Sequence, residues 1–538
     1  MGLLKEELEK MLEEANQGNL EAQTNLGDYY YNGEGLVKNY KEAVKWYTLA
    51  ANENYPPALK KLGNCYCNGN GVTQNYEEAL KKWMKAAEQN YVPAFNNIGL
   101  YYDYYSDERN YTEAIKWYKL AANENYAFSQ NHLGDCYYYG KGVDRNDEEA
   151  VKWYKLAANQ GNDDAQQQLG FCYYRGYGVN QDYKEAVKWY KLAANQGNDD
   201  AQQQLAFCYY RGYGVNKDYK EAVKWYKLAA DQGNKHAQNH LGVCYANGYG
   251  VNQDYNEATR LFQLSAKQNN SYAQYNLGYH YLFGKGVDKN YNEAINLFKL
   301  AASQGSAPAQ NGLGDCYYYG NGVNQDYAEA VKWYKKAADQ GLALGQNNLG
   351  LCYYKGQGVP QDYKEAVKWY KLAVNQGEKT AQNNLGVCYS NGQGVNKDYD
   401  EAIRLFQLSA KLDYAIAQNN LGNCYFYGEG VDKNYTEALI WYIKAADQGN
   451  VDAQNNLGNC YYRGYGVNQD YKEAVKWYKL AADQGNKYAQ NNLGVCYKYG
   501  HGVEKDINEA NKWIELATSQ GYDYSKSSLG AWYQEQES

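Results

Sequence analysis

Paired acids are the residues of this chain that could most readily perform chemistry. An Asp or Asn is followed three residues later by a Glu in copy after copy, as in Asp182 and Glu185 or Asn39 and Glu42. Two carboxylates at this spacing could act as a general acid and a general base. The spacing is also that of a capping box, in which the first side chain caps a helix and the Glu reaches back to the cap's own N–H. Because the pair is repeated so often, we interpret it as a helix cap and predict no catalytic residues.

Cysteine could supply metal ligands or disulfides, and the chain has twelve. Eleven of them share one position of a repeating pattern, which would place neighbours roughly 10 Å apart in stacked helix pairs. A disulfide requires Cα atoms within about 7 Å, and no C-x-x-C pair with zinc spacing occurs. We therefore expect buried thiols in a reducing compartment. The twelfth cysteine, Cys67, lies outside the pattern and is expected to be exposed.

Histidines and glycines give no second candidate for chemistry. Among the five histidines, His236 and His240 are four residues apart and could share a metal, but no His-Glu-x-x-His motif is present. The recurring Gly-x-Gly turns lack the Lys-Ser/Thr of a phosphate loop. We predict neither a metal site nor a cofactor.

The elements that carry these residues repeat at a fixed interval. A Leu, usually followed by Gly, recurs every 36 residues with a single interval of 35, and we number each repeat from this residue as position 0. The fifteen marks are Leu26, Leu62, Ile98, Leu133, Leu169, Leu205, Leu241, Leu277, Leu313, Leu349, Leu385, Leu421, Leu457, Leu493 and Leu529. Tandem units of this length indicate a repeat architecture.

Each repeat predicts two helices. Ala453, Leu457, Cys460 and Tyr461 form one apolar face at helical spacing, and Gly464-Tyr465-Gly466 then ends the helix. A second helix follows from the cap at +13. One hairpin cannot bury enough surface to fold alone, whereas stacked hairpins share a core. We predict an all-α fold, an α/α superhelical solenoid of about 15 tandem 36-residue hairpins, with capping helices at 1–19 and 522–538 around repeats at 20–521.

The pattern resembles the Sel1-like repeat, a relative of the tetratricopeptide repeat. The resemblance rests on A-x-x-x-L-G-x-x-Y-x-x-G-x-G-V-x-x-D-Y-x-E-A-x-x-W-Y-x-x-A-A, read from Ala453 to Ala482, and it covers nearly the whole chain. The third copy departs from it, with no Gly-x-Gly, and three copies have Leu-Phe where Trp-Tyr usually stands. The resemblance implies antiparallel helix pairs in a right-handed superhelix that binds other proteins.

Composition excludes several other classes of partner. The net charge of −8 and the pI near 5.4 give no basic surface for nucleic acid. No apolar run approaches the roughly 20 residues of a membrane helix, and the acidic start does not resemble a signal peptide. We expect a cytoplasmic monomer without membrane insertion.

A partner would be expected on the side of the first helix away from its apolar face, at positions −2, +2, +5 and +6. Primary amides dominate −2 and can pair with a peptide backbone through both a donor and an acceptor. Tyrosines at +5 are amphipathic residues suited to interfaces. The predicted partner-binding residues are Asn239, Asn311, Asn347, Asn383, Asn419, Asn455, Asn491, Tyr318, Tyr354 and Tyr462. Alternatively, the amides are solvated and were merely copied, since residues 162–197 and 198–233 differ at only three positions.

These observations predict a non-enzymatic scaffold or adaptor that binds partner proteins or extended peptides along the concave face. The alternative is a regulatory or activating subunit of an enzyme such as a kinase or synthase. The two differ in what should co-purify, which is a mixed set of clients or one stoichiometric enzyme.

Overall fold

The computed structural model describes residues 2–34, 36–106 and 108–522, with side chains described from residue 7 onward. This part of the chain contains 29 α-helices and no strand. The helices are α1 (Gly2–Asn16), α2 (Leu20–Asn32), α3 (Tyr40–Asn52), α4 (Pro56–Asn68), α5 (Tyr76–Ala87), α6 (Val92–Leu100), α7 (Tyr111–Asn123), α8 (Ala127–Tyr139), α9 (Asp147–Asn159), α10 (Asp163–Arg175), α11 (Tyr183–Asn195), α12 (Asp199–Arg211), α13 (Tyr219–Asp231), α14 (Lys235–Asn247), α15 (Tyr255–Lys267), α16 (Ser271–Phe283), α17 (Tyr291–Ser303), α18 (Ala307–Tyr319), α19 (Tyr327–Asp339), α20 (Ala343–Lys355), α21 (Tyr363–Val374), α22 (Lys379–Asn391), α23 (Tyr399–Lys411), α24 (Ala415–Tyr427), α25 (Tyr435–Asp447), α26 (Val451–Arg463), α27 (Tyr471–Asp483), α28 (Lys487–Tyr499) and α29 (Ile507–Ser519).

The helices after α1 pair into hairpins, from α2 with α3 to α28 with α29. We call the first helix of each hairpin helix A and the second helix B. The predicted all-α solenoid of tandem hairpins is confirmed. A helix is present within the predicted N-terminal segment 1–19, where Ala15 packs with Leu26 of the first hairpin. The C-terminal helix predicted at 522–538, Tyr522 apart, lies outside the described residues.

The chain forms two compact units that divide between Gln268 and Asn269. In each unit, helix B of one hairpin packs on helix A of the next. The core repeats one set of positions, for example Leu457 and Cys460 from helix A with Ala474, Tyr478 and Ala481 from helix B, all fully buried. These are the positions that the helical spacing predicts to be apolar.

Two glycines show why the Leu-Gly and Gly-x-Gly signatures recur. A Cβ on Gly458 would lie 2.5 Å from Cδ1 of Tyr478, so the small residue lets helix B approach helix A. Gly466 has a φ of +73°, and a Cβ there would lie 2.3 Å from the carbonyl oxygen of Tyr435 in the preceding hairpin. The turn of one hairpin is therefore fitted against the start of the previous helix B.

The predicted caps are present, but half of the predicted capping box is wrong. Asp470 accepts hydrogen bonds from the backbone N–H groups of Lys472 at 2.9 Å and Glu473 at 3.1 Å. The N–H of Asp470 itself donates to the carbonyl of Tyr461 at 2.9 Å, so no donor is left for Glu473. Glu473 instead accepts from Lys476 Nζ at 3.0 Å and from the indole N–H of Trp477, also at 3.0 Å.

The third hairpin, which lacks the Gly-x-Gly turn, ends helix A differently. Helix α6 continues into a π-helical turn, Tyr101–Tyr105. Tyr105 stacks on Tyr76 with ring centroids 4.9 Å apart, much as Tyr213 stacks on Tyr183 across a regular turn. An aromatic ring therefore replaces the contact that the missing loop residue would make.

Candidate partner-binding face

Each helix A has one side that neither its own helix B nor the adjacent hairpins cover fully. Positions −5, −1, +2 and +6 lie on this side because they are separated by four, three and four residues. In α20 they are Leu344, Asn348, Leu351 and Lys355. We call this side the helix A face. Leu344 and Lys355 at its two ends are exposed, and the middle two side chains are half-buried.

The seven predicted asparagines at position −2 lie beneath this face. They are between 0 and 8 % exposed, so the expectation that they point into solvent is wrong. The residues are Asn239, Asn311, Asn347, Asn383, Asn419, Asn455 and Asn491. The physical reason is that helices A of consecutive hairpins also contact each other, as α18 and α20 do, which buries a wider arc than one hairpin does alone.

Five of these asparagines accept a hydrogen bond from the next repeat. The Nδ2 donor is the amide at position −1, and the acceptor is Oδ1 at position −2 of the preceding helix A. The pairs are Asn348 with Asn311 at 3.0 Å, Asn384 with Asn347 at 3.0 Å, Asn420 with Asn383 at 2.9 Å, Asn456 with Asn419 at 3.1 Å and Asn492 with Asn455 at 3.1 Å. We call these ten residues the amide ladder. The amide of Asn491 makes no hydrogen bond within the described residues, and the position that would supply its donor, Ser528, lies outside them.

A carboxylate ends one run of the ladder. Asn311 donates to Oδ2 of Asp315 at 3.2 Å, and Asn348 donates to its Oδ1 at 3.3 Å. The hydroxyl of Tyr334 donates to the same Oδ1 at 2.7 Å. Burial raises the pKa of Asp315 to about 6, although the hydrogen bond from Tyr334 acts in the opposite direction. Asp135, at the same repeat position, likewise has a pKa raised by burial to about 6.

The three predicted tyrosines at +5 also join neighbouring repeats. Tyr318 and Tyr462 are buried and Tyr354 is half-buried. Their hydroxyls meet the loop of the next repeat, with Tyr318 donating to Gln357 at 2.5 Å, Tyr354 donating to Gln393 at 2.7 Å and Tyr462 lying 2.7 Å from Nδ1 of His501. Five of the seven predicted asparagines and all three predicted tyrosine hydroxyls therefore make polar contacts within the chain. Partner binding by the ten predicted residues stays a prediction.

The exposed apolar residues of the helix A face are the feature that sequence reasoning missed. Outside the third hairpin, whose helix A ends in the π-helical turn, nine large side chains at −5 or +6 are between 44 and 64 % exposed. They are Phe128, Tyr139, Tyr272, Phe283, Tyr319, Leu344, Ile416, Tyr427 and Tyr488. The available signal was a large apolar residue at a position that other repeats give to Asp, Arg, Lys or Asn.

The remaining candidates for chemistry are internal. Burial raises the pKa of all eleven patterned thiols to about 12, which suppresses the reactive thiolate. Cys67, expected to be exposed, is buried at 7 % exposure against the third hairpin. His240 places Nδ1 2.8 Å from the carbonyl oxygen of His236. The described residues contain no group of three or more side chains arranged to hold a metal ion.

No described helix combines the length and the apolar character needed to cross a membrane. None of the curated proteins matches the chain. Among solved structures, the protective antigen c5321 of uropathogenic Escherichia coli, which displays an SLR fold, is 33% identical, with 98% of this chain and 97% of that chain covered and a TM-score of 0.43. A Sel1 repeat protein from Oxalobacter formigenes is 34% identical, with 45% of this chain and 96% of that chain covered and a TM-score of 0.42.

The family model described as Sel1 repeat matches fourteen segments. They are residues 20–55, 56–91, 96–126, 127–162, 163–198, 199–234, 235–270, 271–306, 307–342, 343–378, 379–414, 415–450, 451–486 and 487–522. The resemblance read from the motif is confirmed. Since these segments cover most of the chain, the protein belongs to the Sel1 repeat family.

Proposed function

We propose that this protein is a non-enzymatic scaffold that binds partner proteins or extended peptides on its helix A faces. The observation that carries the proposal is the set of nine large apolar side chains exposed there. Single exposed apolar residues are ordinary, but groups of them on one face of a rigid element are typical of interaction sites. Helices held by packed neighbours present such residues in fixed positions, which reduces the entropy lost on binding.

The amide ladder would set the spacing of this face. The −2 amides fix each helix A to the next, while the −1 amides of Asn348, Asn384, Asn420 and Asn456 remain half-buried. A primary amide has two donors. Asn348 and Asn456 use both donors within the chain, whereas Asn384 and Asn420 donate one ladder bond each and so have a second donor for a peptide group. We assign main-chain contact with a partner to Asn384 and Asn420 and alignment of the helices to the −2 amides.

The groups that most resemble catalytic residues support a non-catalytic role. The recurrent acids serve as helix caps and as ion-pair partners on helix B, as Glu473 does for Lys476 at 3.0 Å. The twelve cysteines are free and buried, which suits a protein kept in the reducing cytoplasm. We propose a cytoplasmic monomer, because the array supplies its own stacking surfaces.

A comparison of two exposed apolar surfaces tests the proposal. Tyr319, Leu344, Ile416 and Tyr427 would be changed to Ser on the helix A face. The matched control changes three exposed leucines of helix B to Ser, namely Leu300, Leu372 and Leu480, which are 43 to 52 % exposed. Each tagged variant would be used for quantitative affinity capture from native lysate.

Partner proteins should be lost with the helix A variant and kept with the helix B variant. Equal recovery by both would contradict the proposed face. Recovery of one stoichiometric enzyme, rather than several clients, would favour a regulatory subunit.

A further inference from the structure

Two consecutive repeats of the first unit have a Phe at position +2 and a buried Tyr at +21. In five other repeats an Asp or Asn at +2 accepts a hydrogen bond from the hydroxyl of that Tyr, as Asn459 does from Tyr478 at 2.8 Å. Phe171 and Phe207 stand there instead, on helices α10 and α12. A phenyl ring cannot accept this hydrogen bond in the ordinary way.

The replacement leaves two buried polar groups unsatisfied. The hydroxyls of Tyr190 and Tyr226 have no hydrogen-bond partner, although both side chains are fully buried. An unsatisfied buried hydroxyl costs about 1–3 kcal/mol. Residues that break a local rule at the expense of stability are expected at functional sites.

Each phenylalanine instead supports an arginine. The guanidinium carbon of Arg175 lies 5.7 Å from the ring centroid of Phe171 and 5.6 Å from that of Tyr174. The corresponding distances for Arg211 are 5.6 Å to Phe207 and 6.0 Å to Tyr210. Both arginines are exposed at position +6, and in the described part of the chain neither has a carboxylate within ion-pair distance.

We propose that Arg175 and Arg211 bind an extended protein segment with two acidic side chains three residues apart. The inference rests on the proposed scaffold function and names the partner chemistry for this part of the helix A face. We expect α10 and α12, the helices A of consecutive stacked hairpins, to be spaced by about 8–10 Å, the usual distance between packed helices. In a polyproline II segment, residues i and i+3 share one face about 9.3 Å apart, since each residue advances about 3.1 Å. Two carboxylates at this spacing can each meet one guanidinium, and Arg binds carboxylates in bidentate geometry.

The same face disfavours a polyanion such as a nucleic acid. Asp164 and Asp200 are exposed at position −5 of the same two helices, roughly 16 Å from the arginines along each axis. Nucleic acid binding gains affinity from each additional phosphate that is neutralised. Here only two arginines are present, two aspartates lie beyond them along the helices, and the chain has a net charge of −8. A short acidic segment that ends before the aspartates therefore fits this surface better than a nucleic acid does.

Fluorescence anisotropy with the full chain and a labelled octapeptide, Pro-Pro-Glu-Pro-Pro-Glu-Pro-Pro, tests the inference. The control probes replace both Glu by Gln, or place the two Glu only two residues apart. Arg175→Ala with Arg211→Ala should weaken binding of the first probe roughly tenfold or more, because both charge-assisted contacts are lost. Arg463→Ala is the matched control, since Arg463 also stands at +6 but with Tyr427 and Tyr499 at that position in the adjacent repeats.

A second variant separates binding from stability. Phe171→Asn with Phe207→Asn should raise the melting temperature, because the hydroxyls of Tyr190 and Tyr226 gain acceptors. The same variant should lower the affinity for the Glu peptide, because Arg175 and Arg211 lose the phenyl rings on which they pack. The inference is overturned if the Glu probe binds no better than the Gln probe, if the double arginine variant binds it unchanged, or if octathymidylate is preferred. The Glu peptide could fail to bind while partner capture still depends on Tyr319, Leu344, Ile416 and Tyr427. That result would overturn this inference and leave the proposed function standing.

Discussion

At the scale of single residues, position +2 determines what each buried tyrosine hydroxyl meets. Asn423 accepts from Tyr442 at 2.8 Å, and Asp28 accepts from Tyr47 at 2.7 Å. Phe207 offers Tyr226 no such acceptor. The chain therefore contains the same buried tyrosine with and without its hydrogen bond, which permits a controlled comparison.

Removing the hydroxyl should have opposite consequences in the two settings. Tyr442→Phe deletes a satisfied hydrogen bond and is expected to destabilise the fold by about 1 kcal/mol. Tyr226→Phe removes a buried group that has no partner, so it should be neutral or stabilising. Thermal melts followed by circular dichroism would compare the two. A larger loss of melting temperature for Tyr226→Phe than for Tyr442→Phe would contradict the account.

Asp315 makes part of the stability depend on pH. Its pKa in the folded chain is about 6, above its ordinary value of 3.8, because the side chain is buried. The folded state therefore binds the proton more tightly than the unfolded state. The resulting stabilisation is fully present below about pH 3.8 and is lost as the pH rises through about 6.

Asp315→Asn should abolish this dependence. Asn is the residue that Tyr442 and Tyr478 already meet at this repeat position. At pH 7 to 8 the variant is expected to be more stable than the parent by about 2–3 kcal/mol, and near pH 4 the difference should vanish. Denaturant melts across this range would measure it, with the exposed Asp400→Asn as control. A difference that does not change with pH would contradict the assignment.

At the scale of secondary-structure elements, helix A depends on more neighbours than helix B of its own hairpin. Helix α20 contacts α21, α19 of the preceding hairpin and also α18. The amide ladder occupies the contact between successive helices A. Its hydrogen bonds are shielded by half-buried side chains, and they should therefore contribute measurably to the packing of each unit.

A double-mutant cycle measures that contribution. Asn384→Ala and Asn347→Ala should each destabilise the fold by about 1 kcal/mol, and together by less than the sum, since either change breaks the same 3.0 Å bond. Asn347 with Asn456 is the control pair, because no hydrogen bond joins these two residues and their effects should add. Additive effects in both pairs, measured by denaturant melts, would show that the ladder bonds do not couple the helices.

The sequence predictions were correct where a residue's role depends on residues close in sequence, and wrong where it depends on helices of other repeats or on the folded turn. Leu457, Gly466 and the Asp470 cap were predicted correctly because their roles arise from periodicity and turn chemistry close in sequence. Asn347 was predicted to be outward because a helical wheel shows one packed side, whereas the adjacent helices A bury it further. The Glu473 contact was predicted wrongly because the cap's N–H is used by Tyr461, which only the folded turn brings close. The exposed apolar residues were missed because apolar character alone does not distinguish core from binding face, and only a comparison of the same position across repeats would have separated them.

At the scale of the whole molecule, neighbouring hairpins contribute to shared buried clusters within each unit. One buried cluster runs from Ala186 in α11 to Leu261 in α15 and includes Tyr190, Leu205 and Tyr226. Each hairpin therefore buries part of its apolar surface against the next. Stability in such arrays is approximately a sum of repeat and nearest-neighbour terms. A repeat should be removable when its neighbours can form equivalent contacts with each other.

Residues 198–233 satisfy this condition, because they differ from 162–197 at only three positions: Ala206 for Gly170, Lys217 for Gln181 and Asp231 for Asn195. Deleting them joins the end of α11 to α14, which then meets nearly the same surface that α13 gave it. We expect unchanged ellipticity per residue and a melting temperature within about 3 °C of the parent. Deleting only 216–233 removes one helix and leaves two helices A in succession, so it should lower both quantities strongly. Equal losses from the two deletions would contradict nearest-neighbour stacking as the source of stability.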